Sequence, residues 1–405
     1  MTRLLALTCA LLIALVVGLA GAQADDTTGV TATSILIGGT DPLSGPAAAF
    51  ESIAYGADGY FKYVNDKGGV FGRKIKYEFL DDAFDPALTV QQTRRLVEQD
   101  NVFAIFNEAG TEHAEAVAPY LNQKSVPQLF AGSGTSTLAD GKRFPWTLPY
   151  LPSFRGEGFI YGRYIARTTP KAKIGVLYED SDFGKDLLSG LKRGLASHAK
   201  QVVSSQAYDV TAADVNSQIA ALKSAHANTL MLFATPKAAI QGYIAAYKLG
   251  WGPHVFVSAV SIAPALMEIV RASTDGHFPE GSISIAFIKD PTNLKKWGKD
   301  PGVLLYRRVM KQYEPGRHVD DAYHEYGMAV AFTLVDALQH AGKNLTREGV
   351  MKAATNLNEK NNPFLLPGIV VKTGPSDRYP LEQAQLYRYH QKVWREFGPL
   401  QSSAK

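Results

Sequence analysis

The chain has 405 residues, of which 46% are hydrophobic and 20% are charged. This apolar and aromatic content excludes disorder as the main state, and the length predicts two or three domains. The 42 basic and 38 acidic residues leave a net charge of only +4. No run of Lys or Arg marks a nucleic-acid surface, so we expect no nucleic-acid partner. The single cysteine, Cys9, excludes an intramolecular disulfide and any zinc or iron–sulfur site built on cysteines.

The N-terminal segment, residues 1–24, is apolar and has the pattern of an export signal. Arg3 gives it a positive start, and Ala22-Gln23-Ala24 has the small-x-small pattern of a cleavage site. This arrangement is typical of a secretory signal peptide. A membrane anchor is the alternative, because the uncharged run of about 17 residues reaches the lower limit for a span. We favour cleavage after about Ala24 and a mature protein outside the cytoplasm.

Short apolar runs recur along the chain at regular spacing. They begin at Ile35, Ile75, Val102 and Pro127 in the first half, and at Lys173, Val202, Thr229 and His254 in the second. Such runs are typical of strands that are buried on both faces of a parallel sheet. Helical patterns fill the gaps, at residues 53–65, 87–98, 114–123, 184–198, 213–225 and 237–249. Alternating strands and helices predict right-handed parallel units, and therefore two α/β lobes with one plan.

The last third of the chain has too few strand patterns for a third sheet. Strands are predicted at residues 279–287, 366–371 and 385–389, and helices at 303–313, 323–340 and 346–356. We therefore expect this part to complete the first two lobes. The predicted fold has two doubly wound parallel-sheet lobes joined by a three-crossing hinge, with a ligand cleft between them. The expected lobes are residues 33–148 plus about 281–365, and residues 149–280 plus about 366–400.

Signatures of catalysis and of cofactor binding are missing from the sequence. It contains no Gly-x-Ser-x-Gly, no P-loop and no Gly-x-Gly-x-x-Gly after a strand. His324-Glu325 resembles the start of a zinc helix, but Met328 occupies the position of the second histidine. Glu108 and Glu112 could be paired catalytic acids; a single carboxylate that faces a ligand or solvent is the favoured interpretation. We expect no enzyme activity, no metal and no cofactor.

Three loops that follow predicted strands of the first half have a common character. Residues 40–46, 107–112 and 132–135 are small and polar, contain glycine, and are each expected to lead into a helix. Backbone N–H groups at a helix start bind anions, and glycine allows a ligand to come close. Ser or Thr hydroxyls can also donate to a carboxylate. Each loop alone could be an ordinary cap or turn, but three on one sheet edge predict a site for an anionic group.

Several motifs give a family resemblance over nearly the whole mature chain. They are residues 35–45 (ILIGGTDPLSG), 65–69 (NDKGG), Asp81-Asp82 before Asp85-Pro86, and Val126-Pro127 before Ser133-Gly134. The chain thereby resembles the type I periplasmic solute-binding proteins of ABC transporters, in particular the Leu/Ile/Val-binding protein family. The resemblance implies a two-lobed clamp in the periplasm that closes on a small molecule. It also implies delivery to an ABC permease and its ATPase in the inner membrane, by a protein that is a monomer because both lobe surfaces must be free to dock.

The resemblance also implies positions for the ligand site. Thr111, Ser133 and Gly134 match the family's carboxylate-binding positions, although Gly132-Ser133-Gly134 replaces the usual Ala-Ala-Thr or Ala-Ser-Thr, so that one hydroxyl is displaced or lost. Phe50 and Phe183 match cleft aromatics that are often tyrosine in amino-acid binders, and Thr235 matches the wall of the second lobe. Tyr150, near the first crossing, is a candidate for stacking on the ligand; packing at the hinge is its alternative role.

The sharpest departure from the family pattern is at Ser258. Amino-acid binders carry an acidic residue there, which pairs with the ligand's ammonium, whereas residues 257–261 (VSAVS) contain no carboxylate. A buried ammonium without a counter-charge costs several kcal/mol. Either another acid such as Glu112 takes this role or the ligand has no ammonium. We favour an aromatic or apolar carboxylate as the ligand, with a branched-chain or other apolar amino acid as the alternative.

Two other classes of function compete with a transport receptor. An exported sensor would use the same clamp without transport. An exported hydrolase would need a nucleophile or a metal set, and the sequence offers neither. Turnover of a bound solute would favour the hydrolase, and binding without turnover would disfavour it.

Overall fold

A computed structural model describes residues 26–402 of the chain. The expected signal peptide, with Cys9 and the cleavage position at Ala24, lies outside the described residues. Within residues 26–402, no helix is at once long enough and apolar enough to cross a membrane.

Five parallel strands form the first sheet. They are β1 (Ser34–Asp41), β2 (Lys74–Asp81), β3 (Ala104–Phe106), β4 (Gln128–Ala131) and β5 (Thr147–Pro149). Their spatial order is β2-β1-β3-β4-β5, and β1 pairs with β2 from Ser34 opposite Lys74 to Asp41 opposite Asp81. The helices between them are α1 (Glu51–Asp66), α2 (Pro86–Glu98) and α3 (Thr111–Gln123). The order reverses between β1 and β3, where a crevice opens at the carboxyl ends of the strands.

The second sheet repeats this plan and adds antiparallel strands at one edge. The remaining strands of the chain are β6 (Ile174–Glu179), β7 (Val202–Tyr208), β8 (Thr229–Phe233), β9 (His254–Val257), β10 (Ile283–Ala286), β11 (Asn358–Glu359), β12 (Val371–Lys372), β13 (Gln383–His390), β14 (Val393–Glu396) and β15 (Gln401–Ser402). The order β14-β13-β10-β9-β8-β6-β7 is parallel from β10 to β7 and antiparallel at β13 and β14. A separate two-stranded ribbon pairs β11 with β12.

Further helices cover the two sheets. They are α4 (Phe154–Thr168), α5 (Asp182–Leu195), α6 (Asn216–Ser224), α7 (Pro236–Lys248), α8 (Pro264–Ser273), α9 (Leu294–Trp297), α10 (Pro301–Tyr313), α11 (Ala322–Ala341) and α12 (Arg347–Ala354). α10 and α11 pack on α1, and α12 packs on α11. The last third of the chain therefore completes the first lobe and then returns to the second sheet as β13 and β14.

The predicted α/β architecture with parallel-sheet lobes is confirmed, and its errors have local causes. The strand predicted at residues 366–371 is wrong, because Pro367-Gly368 forms a turn and only Val371 joins β12. β5, α4 and α8 are absent from the prediction. α4 contains three glycines in fifteen residues (FRGEGFIYGRYIART), a composition that argues against a helix when the sequence is considered alone.

The lobe boundaries given above stay a proposal, with one revision at the second crossing. β10 pairs with β9 and β13 of the second sheet, so the chain leaves that sheet after Ala286 and not near residue 281. The first crossing lies between β5 and α4, and the third lies between β12 and β13.

Backbone contact between α4 and α5 fixes one wall of the cleft. A Cβ atom at Gly158 would lie 2.1 Å from the carbonyl oxygen of Leu187, and one at Gly190 would lie 2.1 Å from that of Arg155. Real Cβ atoms do not approach a carbonyl oxygen so closely, so a side chain at either position would require the facing helix backbone to shift. The two helices can therefore touch along their backbones, as small residues allow elsewhere.

Gly190→Ala is expected to destabilise the protein. Alanine in an open helix position would stabilise it by up to about 1 kcal/mol, whereas here the methyl group must push the helices apart at a cost of about 1–3 kcal/mol. Urea unfolding should show a lower midpoint for this variant. The matched control is Gly252→Ala, where an added Cβ meets nothing within 4 Å. A midpoint for Gly190→Ala at or above that of the control would contradict the close contact.

Candidate functional site

A cavity of about 140 Å³ lies between the lobes, near the carboxyl ends of the parallel strands. Aromatic rings from both sides line it: Phe50 and Phe84 from the first lobe, and Phe154 and Phe183 from the second. The rings of Phe154 and Phe183 meet edge to face, with 4.8 Å between their centroids. Phe50 meets the Tyr323 ring of α11 in the same way, at 5.1 Å. An apolar ligand could therefore contact rings of both lobes at once.

The polar edge of the cavity is the start of α3. Gly110 precedes the helix with φ of 116°, a left-handed conformation that favours glycine. Thr111 opens the helix, lines the cavity, and has its hydroxyl oxygen 2.9 Å from that of Ser133. The first N–H groups of a helix have no carbonyl partner within it. Together, these N–H groups and the Thr111 hydroxyl can bind an anionic group.

Four of the predicted site residues lie in the cavity lining: Phe50, Thr111, Phe183 and Thr235. Thr235 lines the cavity from the second lobe, and its hydroxyl donates to Oε2 of Glu179 at 3.0 Å. The structure thus brings together residues that come from both halves of the sequence.

The two predicted residues after β4, Ser133 and Gly134, lie outside the cavity lining. Ser133 is fully buried and contacts the site only through its hydrogen bond to Thr111. A Cβ at Gly134 would lie 2.1 Å from the carbonyl oxygen of Pro152, so this glycine packs its backbone against the first crossing. Ser133 therefore contacts Thr111 from behind the lining, and Gly134 contacts the backbone of the first crossing.

Tyr150, Ser258 and Glu112 also lie outside the lining. Tyr150 is fully buried, with its hydroxyl 3.1 Å from that of Thr333 on α11, so it packs at the hinge. The Ser258 side chain is fully buried as well. Glu112 is exposed. Partial burial of its carboxyl raises its pKa, with a further contribution from the charge of Asp209. Its charged neighbours are thus on the second lobe, away from the cavity lining.

Two buried carboxyls that the sequence analysis missed do line the cavity. Oε1 of Glu157, on α4, accepts hydrogen bonds from the N–H of Ala259 and the hydroxyl of Tyr161, both at 2.8 Å. Burial raises the pKa of this carboxyl to about 7. Glu179, the last residue of β6, accepts from Tyr208 and Thr235, both at 3.0 Å, and burial raises its pKa too. Position at a strand end was a usable signal for Glu179, whereas Glu157 lay in an unpredicted helix.

The cationic group of the cavity wall already has partners. Among the described residues that line the cavity, Lys289 is the only cation. Its ammonium donates to Asp300 at 2.8 Å and to the carbonyl oxygen of Pro363 at 2.7 Å. A ligand carboxylate would therefore find the Thr111 hydroxyl, which already contacts Ser133, and the first N–H groups of α3, but no free cation among the described residues of this lining. Within residues 26–402, no three His, Cys, Asp or Glu side chains are grouped so that they could hold a metal ion.

A second set of buried carboxyls lies behind the wall of the first lobe. Asp82 accepts from the N–H of Phe84 at 3.0 Å and thereby fixes this cavity aromatic. Glu108 is fully buried and accepts a hydrogen bond from the amide of Gln128. Burial raises the pKa of Asp82 to about 6 and that of Glu108 to about 7. Glu108 is therefore fully buried behind the wall, whereas Glu112 is exposed.

Comparison with known proteins agrees with this architecture. Residues 34–389 match the family model described as a periplasmic binding protein. The chain belongs to this family. The family is one of substrate-binding proteins and not of enzymes. A relative from Brucella melitensis, named Leu/Ile/Val-binding protein homolog 7, is 26% identical over 384 residues, which cover 88% of this chain and 92% of that protein.

Solved structures share the fold of this periplasmic binding protein. A branched chain amino acid ABC transporter protein from Thermus thermophilus with bound valine has a TM-score of 0.81 at 17% identity, and the match covers 93% of this chain and 98% of that one. A solute binding protein of an ABC transporter from Rhodopseudomonas palustris, in complex with 3,4-dihydroxybenzoic acid, has a TM-score of 0.75 at 18% identity, with 92% and 98% covered. Proteins of one fold therefore hold ligands of different chemistry.

Glu108→Gln is expected to flatten the pH dependence of stability. Burial raises the folded-state pKa of Glu108 from 4.5 to about 7. The stability contributed by its protonated form is therefore present in full below about pH 4 and is lost as the pH rises through about 7. Urea unfolding of the wild type should give a larger free energy at pH 5 than at pH 8, with roughly 2–3 kcal/mol from this group.

The amide that Glu108→Gln introduces cannot ionise. The variant should therefore lose the contribution of Glu108 to the difference in unfolding free energy between pH 5 and pH 8. Glu98→Gln, at an exposed position of α2, is the control and should keep the wild-type difference. Equal differences in Glu108→Gln and the wild type would contradict the assignment.

Proposed function

We propose that this protein is an extracytoplasmic receptor that captures a small organic acid between its lobes and delivers it to an ABC importer. The favoured ligand is an aromatic or apolar carboxylate. The observation that carries this proposal is the cavity itself, lined by phenylalanines of both lobes and polar at the start of α3. Delivery requires an ABC permease and its ATPase as partners. A periplasmic location and a monomeric state belong to the same proposal.

The carboxylate of the ligand is placed at Thr111. A helix N-terminus favours a negative charge by its dipole as well as by its free N–H groups. Ala109 and Gly110 line the cavity beside Thr111, but the N–H of Gly110 already donates to the carbonyl oxygen of Gly132 at 3.5 Å. The donors proposed for the carboxylate are therefore the Thr111 hydroxyl and the first N–H groups of α3. The bond between Ser133 and Thr111 orients the hydroxyl.

The rest of the cavity favours an apolar body. The wall continues beyond the phenylalanines through aliphatic side chains of the second lobe, among them Val260, Ile262 and Ile285, to the ring of Trp394. Each methylene group that a ligand buries there gains about 0.8 kcal/mol. A polar body would lose its hydration against this wall without compensating hydrogen bonds.

An apolar amino acid is the second candidate ligand. Glu157, Glu179 and Asp290 place three carboxyls in the cavity lining, and any of them could meet an ammonium that the loop after β9 leaves without a counter-charge. These carboxyls replace Glu112 as the candidate partners of a ligand ammonium. The relatives named Leu/Ile/Val-binding protein homologs support the same candidate.

Ligand capture uses hydrogen bonds that already cross between the lobes. The N–H of Ser136 donates to Asp186 and the hydroxyl of Thr137 donates to Asp182, both at 2.7 Å. On another side of the cavity, the Tyr323 hydroxyl donates to the carbonyl oxygen of Val260 at 2.8 Å. A ligand shifts the balance between open and closed forms only by its differential affinity for them. Contacts to Thr111 on one lobe and Phe183 on the other supply that difference.

A thermal-shift screen of ligand-stripped protein tests the ligand class. The two panels are aliphatic and aromatic carboxylates without an amine, and amino acids. A ligand at a hundred times its dissociation constant adds about 2.7 kcal/mol of stability, which raises the melting temperature measurably. Hits among simple carboxylates support the favoured ligand, and hits confined to amino acids support the second candidate. Stabilisation by neither panel, or turnover of a hit, would contradict the receptor for organic acids.

Thr111→Ala is expected to weaken the strongest hit by about 1–3 kcal/mol, the value of one charge-assisted hydrogen bond. Titration calorimetry measures the loss. Thr211→Ala removes a hydroxyl at an exposed position and should leave the affinity unchanged. If both variants bind as the wild type does, the carboxylate is held elsewhere.

A further inference from the structure

One carboxylate oxygen in the cavity wall, Oε2 of Glu157, accepts no hydrogen bond from the described residues. Glu157 lines the cavity and is 2% exposed. Its Oε1 accepts both of its hydrogen bonds, from Ala259 and Tyr161, and its Oε2 accepts none from the residues that the structure describes. The buried hydroxyl of Ser258 lies near this carboxyl and lowers its pKa, although it makes no well-aligned hydrogen bond to any described residue. A carboxyl with a free oxygen thus borders the cavity.

The position of this carboxyl is fixed from two directions. The hydroxyl of Tyr161 is itself held 3.0 Å from the carbonyl oxygen of Val257 and 3.2 Å from the hydroxyl of Ser284. The backbone contact at Gly158 holds α4 against α5 next to Glu157. A polar group in a fixed position discriminates strongly between ligands. It cannot reorient toward another partner when the ligand offers no hydrogen bond.

The surroundings of Glu157 favour a donor from outside the protein. The cation of the lining, Lys289, is paired with Asp300, so no described side chain of the lining supplies a free positive charge. Burial raises the Glu157 pKa to about 7, which leaves the ionised form accessible near neutral pH. A hydroxyl or an ammonium on the ligand could bond to Oε2 and stabilise that form.

We infer that Glu157 is a specificity-determining residue that accepts a hydrogen bond from the ligand through Oε2. The ligand would therefore carry a hydroxyl or a protonated amine in addition to the carboxylate at Thr111. This inference rests on the proposed function, since it assumes that a carboxylate ligand fills the cavity. A ligand without such a donor would leave Oε2 unpaired in a site from which water is excluded.

A matched ligand series tests the inference. For an aromatic scaffold the probes are 3-phenylpropanoate, 3-(4-hydroxyphenyl)propanoate and phenylalanine, which share a ring and a carboxylate. They differ in having no additional donor, a phenolic hydroxyl or an ammonium. If the screen selects another scaffold, its parent, hydroxyl and amine forms replace them. Calorimetry of the wild type should show that one donor-bearing probe binds at least about tenfold more tightly than the parent carboxylate.

Glu157→Gln separates a role in specificity from a purely structural role. Its amide oxygen can still accept from Ala259 and Tyr161, but an NH₂ group then replaces Oε2. The advantage of the donor-bearing probe should therefore disappear, while the parent carboxylate keeps its affinity within about threefold. Glu115→Gln is the matched control. Burial also raises the pKa of Glu115 to about 7, but Glu115 lies outside the lining and accepts from the Thr135 hydroxyl at 3.0 Å. This control should keep the wild-type preference.

Several outcomes would overturn the inference. One is that the wild-type protein binds the parent carboxylate as tightly as it binds both donor-bearing probes. This outcome can be measured without any variant. Another is a Glu157→Gln protein that loses the same factor for all three probes, which would show a structural role at the hinge. Suppose that a carboxylate binds in a Thr111-dependent way but that donor-bearing ligands bind no more tightly than the parent. That result would contradict the role of Glu157 and leave the proposed function intact. Failure of every carboxylate and amino acid to bind would remove the proposed function as well.

Discussion

The backbone contact between α4 and α5 is the constraint on which the second half of the site depends. Because Gly158 and Gly190 allow the helices to touch, Phe154 and Glu157 at the start of α4 lie beside Phe183 at the start of α5. The same helix pair reaches the first lobe. Arg155 donates to Asp186 at 2.7 Å, and Asp186 accepts from the N–H of Ser136. One packing contact thus sets the cavity wall and its link across the cleft.

A second helix pair provides the corresponding wall of the first lobe. A Cβ at Gly56 of α1 would lie 2.0 Å from the carbonyl oxygen of His324, and one at Gly327 of α11 would lie 2.1 Å from that of Ile53. This contact places the ring of Phe50 against that of Tyr323. Both walls therefore depend on glycines that bring two helices together. Rigid walls suit a clamp, because closure can then occur at the crossings without repacking the site.

The sequence predicted the long parallel strands of both sheets, but it missed short strands such as β5 and several side chains of the site. Apolar runs such as the one beginning at Ile35 predicted strands, because full burial in a parallel sheet requires them. α4 was not predicted because its glycines lower the helix propensity of the segment. The same glycines are needed for the close packing of α4 on α5. Glu157 was missed with α4. The position of Thr111 followed from its loop, but the sequence could not show that Ser133 turns inward, because that depends on packing between strands.

Ligand chemistry is the property that the fold leaves most open. The chain shares its architecture with a protein that holds valine and one that holds a dihydroxybenzoate, so the difference between ligands lies in a few side chains. Here those side chains form an apolar wall, one donor edge at Thr111 and the carboxyls of Glu157, Glu179 and Asp290. The distribution of charge therefore carries more information about the ligand than the topology does.

The central claim is that a carboxylate ligand bridges both lobes. Titration calorimetry of Phe183→Ala with the strongest carboxylate hit tests it most directly, because Phe183 belongs to the wall opposite Thr111. We predict at least a tenfold loss of affinity and a less negative heat-capacity change, since less apolar surface is buried. Leu304→Ala, at an exposed position that is 46% accessible, is the control. Wild-type affinity and heat-capacity change in Phe183→Ala would contradict a ligand held between the two lobes.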